Sequence, residues 1–222
     1  TSGDTGKAAL EGFKDVPGTE IMVFYPQDGV STMQKRQMQT QEGANVAVCA
    51  LEGNFDDCQN GVKKIFTDAG VKQKLADGGK MFSSANSINI GRLVPQVVYY
   101  FSAYFAAVNY GRIKMGEKLN FSVPTGNFGD ILAGFIAGEM GLPVGKLICA
   151  SNANNVLTDF INTGVYDRRR EFFTTVSPSM DILISSNLER LLWFTAGADK
   201  TKECMEKLAK EGIYSLDSQV ME

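Results

Sequence analysis

Short β-branched and aromatic runs alternate along this chain with longer segments of helical periodicity. Ile21-Met22-Val23-Phe24-Tyr25 closes on Pro26 and leads into a helical pattern over residues 31–41. Val46-Ala47-Val48-Cys49-Ala50-Leu51 is a continuous apolar run, which predicts a parallel strand buried on both faces, and residues 56–69 predict a helix ending at Gly70. Residues 81–83 predict a short strand. The aromatic segment 93–109 predicts a long helix with apolar residues around most of its circumference, hence one that lies inside. Residues 119–124 predict a strand that runs straight into a glycine turn and a helix over 129–140, stopped by Gly141 and Pro143. A strand at 147–150 and helices around 155–163, 187–195 and 199–211 complete the pattern, without internal repeats. The class predicted is α/β with parallel strands, and the glycine- and lysine-rich stretch 111–118 is the predicted domain junction.

Composition narrows the chemistry. A chain of 222 residues, 44% hydrophobic and 21% charged, has the make-up of a globular protein able to bury a core without disulfides or metal. A net charge of −3 argues against a nucleic-acid surface, and the one basic run, Arg168-Arg169-Arg170, predicts a solvated turn or helix start. Histidine is absent, which removes Ser-His-Asp and Cys-His catalysis and most catalytic zinc designs. Cys49, Cys58, Cys149 and Cys204 are scattered without a C-x-x-C pair, as expected of reduced thiols in a cytoplasmic protein. Pro95, Gln96 and Ser102 interrupt the longest apolar stretch, which falls short of the ~20 residues of a membrane span. No secretory signal pattern opens the chain, and a start at Thr1 without methionine implies preceding residues.

Three turns carry candidate chemistry. Thr125-Gly126-Asn127-Phe128-Gly129-Asp130 lies between a strong strand and a strong helix, where glycines can turn successive N–H groups toward one oxyanion. It lacks the P-loop lysine and the spacing of a dinucleotide fingerprint, so a monophosphate suits it better than a triphosphate or NAD. A tight turn without ligand is the competing explanation. Thr1-Ser2-Gly3-Asp4-Thr5-Gly6-Lys7 is a hydroxyl-and-glycine loop before a helix, suited either to an anion or to plain helix capping. Residues 83–92 form a polar run ending in Arg92, whose guanidinium can grip a phosphate bidentately or simply sit on the surface.

Together, residues 1–9 (TSGDTGKAA), the run SANSINIGRL at 84–93 and PTGNFGD at 124–130 closely resemble threonine synthase, a pyridoxal-phosphate enzyme family of the tryptophan-synthase-β fold type. Residues 152–157 and 177–182 extend the likeness over nearly the whole chain. The resemblance implies fold type II: two open, mainly parallel twisted sheets flanked by helices. Residues 1–113 would belong to an N-terminal domain on the substrate-loop side and 114–222 to a C-terminal domain on the cofactor-phosphate side. It also implies that the backbone amides of Gly126, Asn127, Phe128 and Gly129, with the Asn127 side chain, hold the phosphate of pyridoxal phosphate, that Asp130 is a further cofactor-binding residue, and that Asp4 lies at the cofactor ring. Asparagine is frequent at that position in the fold type, and a carboxylate beside the ring hydroxyl needs a shared proton or a cation such as Lys7. Ser2, Thr5, Asn86, Ser87 and Arg92 would contact O-phosphohomoserine. The activity implied converts that substrate and water to threonine and phosphate.

The family's Schiff-base lysine precedes the Thr-Ser-Gly-Asp loop in a Phe-Lys-Asp setting. Phe13-Lys14-Asp15 mimics it but follows the loop, so Lys14 is expected to be a surface residue and the chain an interior, catalytically incomplete portion. A monomer or homodimer is expected, with no nucleic-acid or membrane partner. The alternatives left open are another fold-type II enzyme, such as a threonine or serine dehydratase, and a non-catalytic phosphate-ligand binding protein.

Overall fold

The computed structural model describes residues 3–53 and 55–217 and divides into two compact units, 1–89 and 90–222. The division precedes the long aromatic helix, whereas the sequence places the junction after it, at 113/114; the helix belongs with the second unit because its buried stripe packs there. The α/β class holds in both units, each built on a parallel strand pair.

In the first unit, α1 (Gly3–Phe13), β1 (Ile21–Pro26), α2 (Thr32–Gln39) and β2 (Val46–Leu51) form a βα layer. The strands pair in parallel from Ile21 opposite Val46 to Pro26 opposite Leu51. Ser31 opens α2 with a capping box: its hydroxyl accepts the Gln34 N–H at 3.2 Å and the Gln34 amide oxygen accepts the Ser31 N–H at 3.2 Å. Val23 and Tyr25 face one side of β1 and meet Leu10 and Met38 in a small core. β2 is not buried on both faces as its apolar run predicts, since Ala47 and Ala50 are exposed. The helix expected over 56–69 is two helices, α3 (Phe55–Thr67) and α4 (Ala69–Asp77), because Asp68 accepts the Val71 N–H at 2.8 Å and caps a new start. No strand forms at 81–83; Met81 is exposed and the Phe82 ring stacks on Phe66 at 4.8 Å.

The second unit opens with α5 (Ile90–Asn109), whose Leu93, Val97, Tyr100 and Tyr104 form one buried stripe. Val94, Val98 and Tyr99 are about 60% exposed, so the helix is buried along one face and not around its circumference. β3 (Leu119–Pro124) pairs in parallel with β4 (Val144–Ala150), with an irregularity between Leu119 and Phe121. α6 (Gly129–Glu139) connects them and buries Ile131, Leu132, Ala133 and Ala137. Gly134 lets α5 and α6 approach: a Cβ there would stand 2.6 Å from the Tyr100 ring. α7 (Val156–Thr163) and α8 (Leu188–Glu211) close the core, and the backbone of α8 is non-helical at Gly197 (φ 82°, ψ 172°), inside the gap the sequence leaves between 195 and 199. Two three-residue strands escape the sequence pattern, β5 (Val165–Asp167) and β6 (Ile213–Ser215), which pair antiparallel. They place Tyr166 and Tyr214 in a parallel stack at 5.4 Å, with Phe160 edge-on to both. Among the described residues no helix is long and apolar enough to cross a membrane.

Candidate functional site

The turn after β3 is built from both sides. Strand pairing continues one residue past Pro124, where the Thr125 N–H donates to Ala150 O at 2.8 Å and the Thr125 hydroxyl donates to Val123 O at 2.7 Å. Phe128 then takes a left-handed conformation (φ 62°, ψ 6°) and α6 begins at Gly129. The bend falls on Phe128 and on neither glycine of the turn, contrary to the expectation that the glycines supply the unusual backbone. A non-glycine residue in that region costs roughly 1–3 kcal/mol; burial of the Phe128 ring to 6% exposure offsets it. Gly126 is the one pressed for space, whereas a side chain on Gly129 would meet only ordinary contact distances. A Cβ on Gly126 would lie 3.2 Å from Met180 Cα and 3.3 Å from Ser179 O, and one on Gly129 would lie 3.4 Å from the Asn187 amide nitrogen.

Residues 185–187 hold the carbonyl side of this turn. The Ser185 hydroxyl donates to Gly126 O at 2.9 Å, and both the backbone N–H (3.0 Å) and the side-chain amide (2.9 Å) of Asn187 donate to Asn127 O. The Ser186 hydroxyl reaches Asn127 Oδ1 at 3.3 Å. The N–H groups of residues 126–129 make no hydrogen bond to any described residue. Four adjacent donors at the start of an eleven-residue helix, with their carbonyls already engaged, form an anion-receptive arc.

Asp130 follows in the first turn of α6. Burial pushes its carboxyl above the usual carboxylate range, against the opposing pull of Tyr100. The Tyr100 hydroxyl donates to Asp130 O at 2.8 Å, and burial lifts that phenol well above its ordinary value. An open depression of about 190 Å³ runs from Tyr99 along Phe121 and Pro124 to Asp130; it lies beside the glycine turn and does not include residues 126–129.

The other expected site residues lie elsewhere in the chain. Ser2 is outside the described residues. Asp4 and Thr5 sit in the first turn of α1, where Asp4 Oδ1 accepts from the amide of the buried Gln34 at 3.1 Å. Lys7, the cation proposed for Asp4, is engaged by Glu11 at 3.0 Å and by Gln41. Asn86 and Ser87 occupy a turn of the first unit: the Asn86 N–H donates to the Ser84 hydroxyl at 3.1 Å, and Asn86 O accepts the Asn89 N–H at 3.0 Å. Arg92 belongs to the first turn of α5 in the second unit, and partial burial lowers its pKa. Phe13-Lys14-Asp15 ends α1 and ties it to residues 43–45. The Asp15 N–H donates to Asn45 Oδ1 at 2.7 Å, Asp15 Oδ1 accepts the Ala44 N–H at 2.9 Å, and the Lys14 stem lies against Gly43. The basic run is an irregular segment after β5 in which only Arg169 is exposed, with Arg169 paired to Asp167 at 2.9 Å and the half-buried Arg170 to Asp159 at 2.7 Å. All four cysteines are free, and burial pushes the Cys58, Cys149 and Cys204 thiols up, away from nucleophilic thiolates.

No family model matches the chain. Threonine synthase-like 1 of Homo sapiens is 45% identical over the whole chain, and threonine synthase of Eremothecium gossypii is 47% identical over 88% of it. Among solved structures, PLP-bound threonine synthase from Brucella melitensis superposes with a TM-score of 0.85 at 43% identity over the whole chain. The chain is a homologue of the threonine synthases. It spans 31% and 36% of the length of the first two proteins and 46% of the solved chain.

The threonine synthase-like runs 152–157 and 177–182, to which the sequence assigns no role, meet in space. Asp181 Oδ1 accepts from the amides of Asn152 (2.7 Å) and Asn154 (3.1 Å) and from the Thr175 hydroxyl (2.7 Å), while Oδ2 accepts the Thr175 N–H at 2.8 Å. This polar knot holds Ser179 and Met180 against Gly126. Ser185, Asn187 and Asp181 are thus the residues of this site that sequence reasoning misses. The only local signal is a Ser-Ser-Asn run ahead of α8, which looks like an ordinary helix start, although Asn187 makes no side-chain cap bond.

Proposed function

We propose that this chain forms the cofactor-phosphate and substrate-phosphate portion of a pyridoxal-phosphate-dependent threonine synthase, which converts O-phospho-L-homoserine and water to L-threonine and phosphate. The observation that carries the proposal is the unsatisfied N–H arc of residues 126–129, whose carbonyls are fixed from behind. A phosphate dianion suits such an arc, because backbone donors and the helix dipole stabilise negative charge without adding a titratable cation. Homology to threonine synthases over the whole chain supports this choice of anion.

In this reading Gly126, Asn127, Phe128 and Gly129 bind the cofactor phosphate. Asp130 follows the arc in the first turn of α6, and burial raises the pKa of its carboxyl. Asp4 faces the cofactor ring, and its bond from Gln34 limits how its carboxylate can turn. Thr5, Asn86, Ser87 and Arg92 orient the phosphohomoserine phosphate, with the Arg92 guanidinium as the bidentate donor, and Ser2 belongs to the loop assigned to the substrate carboxylate. Once bound, pyridoxal phosphate supplies the electron sink that lets substrate protons leave as acids. Lys14 receives no Schiff-base role, because its stem and both neighbours serve the end of α1. The parent enzyme is read as a cytoplasmic monomer or homodimer.

Calorimetric titration of the chain with pyridoxal phosphate, pyridoxal and inorganic phosphate tests the proposal. Pyridoxal phosphate is expected to bind at least about tenfold more tightly than pyridoxal, inorganic phosphate to compete with it, and phosphohomoserine turnover by this chain alone to be absent. Equal binding of the phosphorylated and unphosphorylated vitamers would remove the phosphate assignment.

A further inference from the structure

We infer that Asn187 and Ser185 are positioning residues that aim the phosphate-binding amides at Phe128 and Asn127, an inference that rests on the phosphate assignment of residues 126–129. In a trans peptide the carbonyl of one residue and the N–H of the next share a plane and point in opposite directions. A group that fixes Gly126 O therefore fixes the Asn127 N–H, and one that fixes Asn127 O fixes the Phe128 N–H. Ser185 does the first with its hydroxyl at 2.9 Å, and Asn187 does the second with two donors at 3.0 and 2.9 Å.

Neither residue has freedom to do otherwise. Asn187 is fully buried, its Oδ1 is engaged by Arg190, and its amide lies where a Cβ on Gly129 would come within 3.4 Å. It stands at the N-cap position of α8 but spends its side chain on Asn127 instead of the helix. Ser185 is 7% exposed, and its N–H donates to the Tyr166 hydroxyl at 2.9 Å. That hydroxyl in turn donates to Leu183 O at 2.9 Å, and the Tyr166 ring is locked between Phe160 and Tyr214. The aim of the two amides thus traces back to an aromatic core that no phosphate touches. Asn127 O with two donors and Gly126 O with one also explain how Phe128 is kept left-handed: the planes on its N-terminal side cannot rotate to relieve it.

Ligands without an aldehyde keep stray lysine imines out of the test, so the measured quantity is the ratio of affinities for pyridoxine 5′-phosphate and pyridoxine. Asn187→Asp retains the size and the acceptor for Arg190 but cannot donate to Asn127 O. It is expected to lower the ratio about tenfold or more while pyridoxine binding stays unchanged. Ser185→Ala should lower it by a smaller factor, and Ser185→Thr, which keeps the hydroxyl, should restore it. A residue that mattered only for stability would lower the melting temperature and weaken both ligands together. If Asn187→Asp does not fold, Ser185→Ala against Ser185→Thr decides by the same ratio. Folded Asn187→Asp and Ser185→Ala proteins whose ratio stays within about twofold of the wild type would overturn the inference. A wild-type chain with no preference for the phosphorylated ligand would instead remove the phosphate assignment itself.

Discussion

The turn at residues 126–129 and the opening turn of α1 are both helix starts punctuated by two glycines, yet they are supported differently. Behind the first lie the large buried core of the second unit and a segment about sixty residues away in sequence, whose side chains take up the turn's carbonyls. Behind the second lies a core of four buried side chains, Leu10, Val23, Tyr25 and Met38, and its Asp4 is met by a glutamine from α2. The difference teaches that an anion turn is made by what grips its carbonyls as much as by its own glycines. Donor groups that are merely present near a helix start become a preformed site only when the peptide planes cannot turn.

The largest expected effect follows the Tyr166 hydroxyl that anchors Ser185. Burial pushes this phenol up to about 12 from an ordinary 10. The native state therefore holds the proton more tightly than the unfolded chain. The associated stability is complete below about pH 10 and is lost as pH rises toward 12. Two pKa units correspond to roughly 2–3 kcal/mol, and Tyr100 and Tyr214, also raised by burial, add in the same direction. Urea denaturation at pH 9 and pH 11.5, read alongside tyrosinate absorbance, should show this loss, and Tyr166→Phe should show a smaller drop between the two conditions. An unchanged drop in Tyr166→Phe would mean that burial of this phenol is not the source of the alkaline loss.

A middle-sized effect sets one substitution against itself in the two units. Alanine in place of a helical glycine gains up to about 1 kcal/mol from propensity alone. At Gly12 in α1 the added Cβ meets nothing within 4 Å, so Gly12→Ala should stabilise by about 0.5–1 kcal/mol. At Gly134 in α6 it would stand 2.6 and 2.7 Å from the Tyr100 ring and 2.9 Å from Leu147. Tyr100 cannot swing away without breaking its bond to Asp130 O. Overpacking of about 1–3 kcal/mol then outweighs propensity, and Gly134→Ala should be destabilising on balance. Equal signs for the two variants in urea denaturation would show that the tight second core yields more readily than its geometry implies.

What could be read from the sequence divides along the same line. The strand, turn and helix over 119–139 were legible because each signal is local: an alternation of apolar and polar residues closed by Pro124, two glycines, then an apolar helical period. The expected phosphate residues 126–129 lie together at one helix start because they are consecutive. Ser185 and Asn187 were illegible, since nothing in a polar Ser-Ser-Asn run says that it reaches back across some sixty residues. Periodicity likewise showed that 93–109 is helical but not which apolar residues are buried, so Val94, Val98 and Tyr99 came out exposed. β5 and β6 are three residues each, too short for a period-2 pattern to register. Asp68 read as one more polar position on a single helix, although its carboxylate caps a second one.

The smallest expected effect lies just after β5, at the solvent-facing pair of Arg169 and Asp167. The Arg169 side chain, aided by its backbone N–H, holds the Asp167 carboxyl down to about 2. A depressed carboxylate contributes stability above the ordinary value of 3.8 and loses it as pH falls toward 2. Two pKa units would suggest a large contribution, but the Arg169 side chain is 55% exposed, and solvent and salt screen such a pair to less than about 1 kcal/mol. Asp167→Asn should therefore cost less than about 1 kcal/mol at neutral pH, and raising the salt concentration should shrink that cost further. It should also leave the pyridoxine phosphate to pyridoxine ratio untouched, because the pair touches neither Ser185 nor Asn187. A large, salt-insensitive loss would place Asp167 among the braced groups, with β5 and its tyrosine depending on this exposed ion pair.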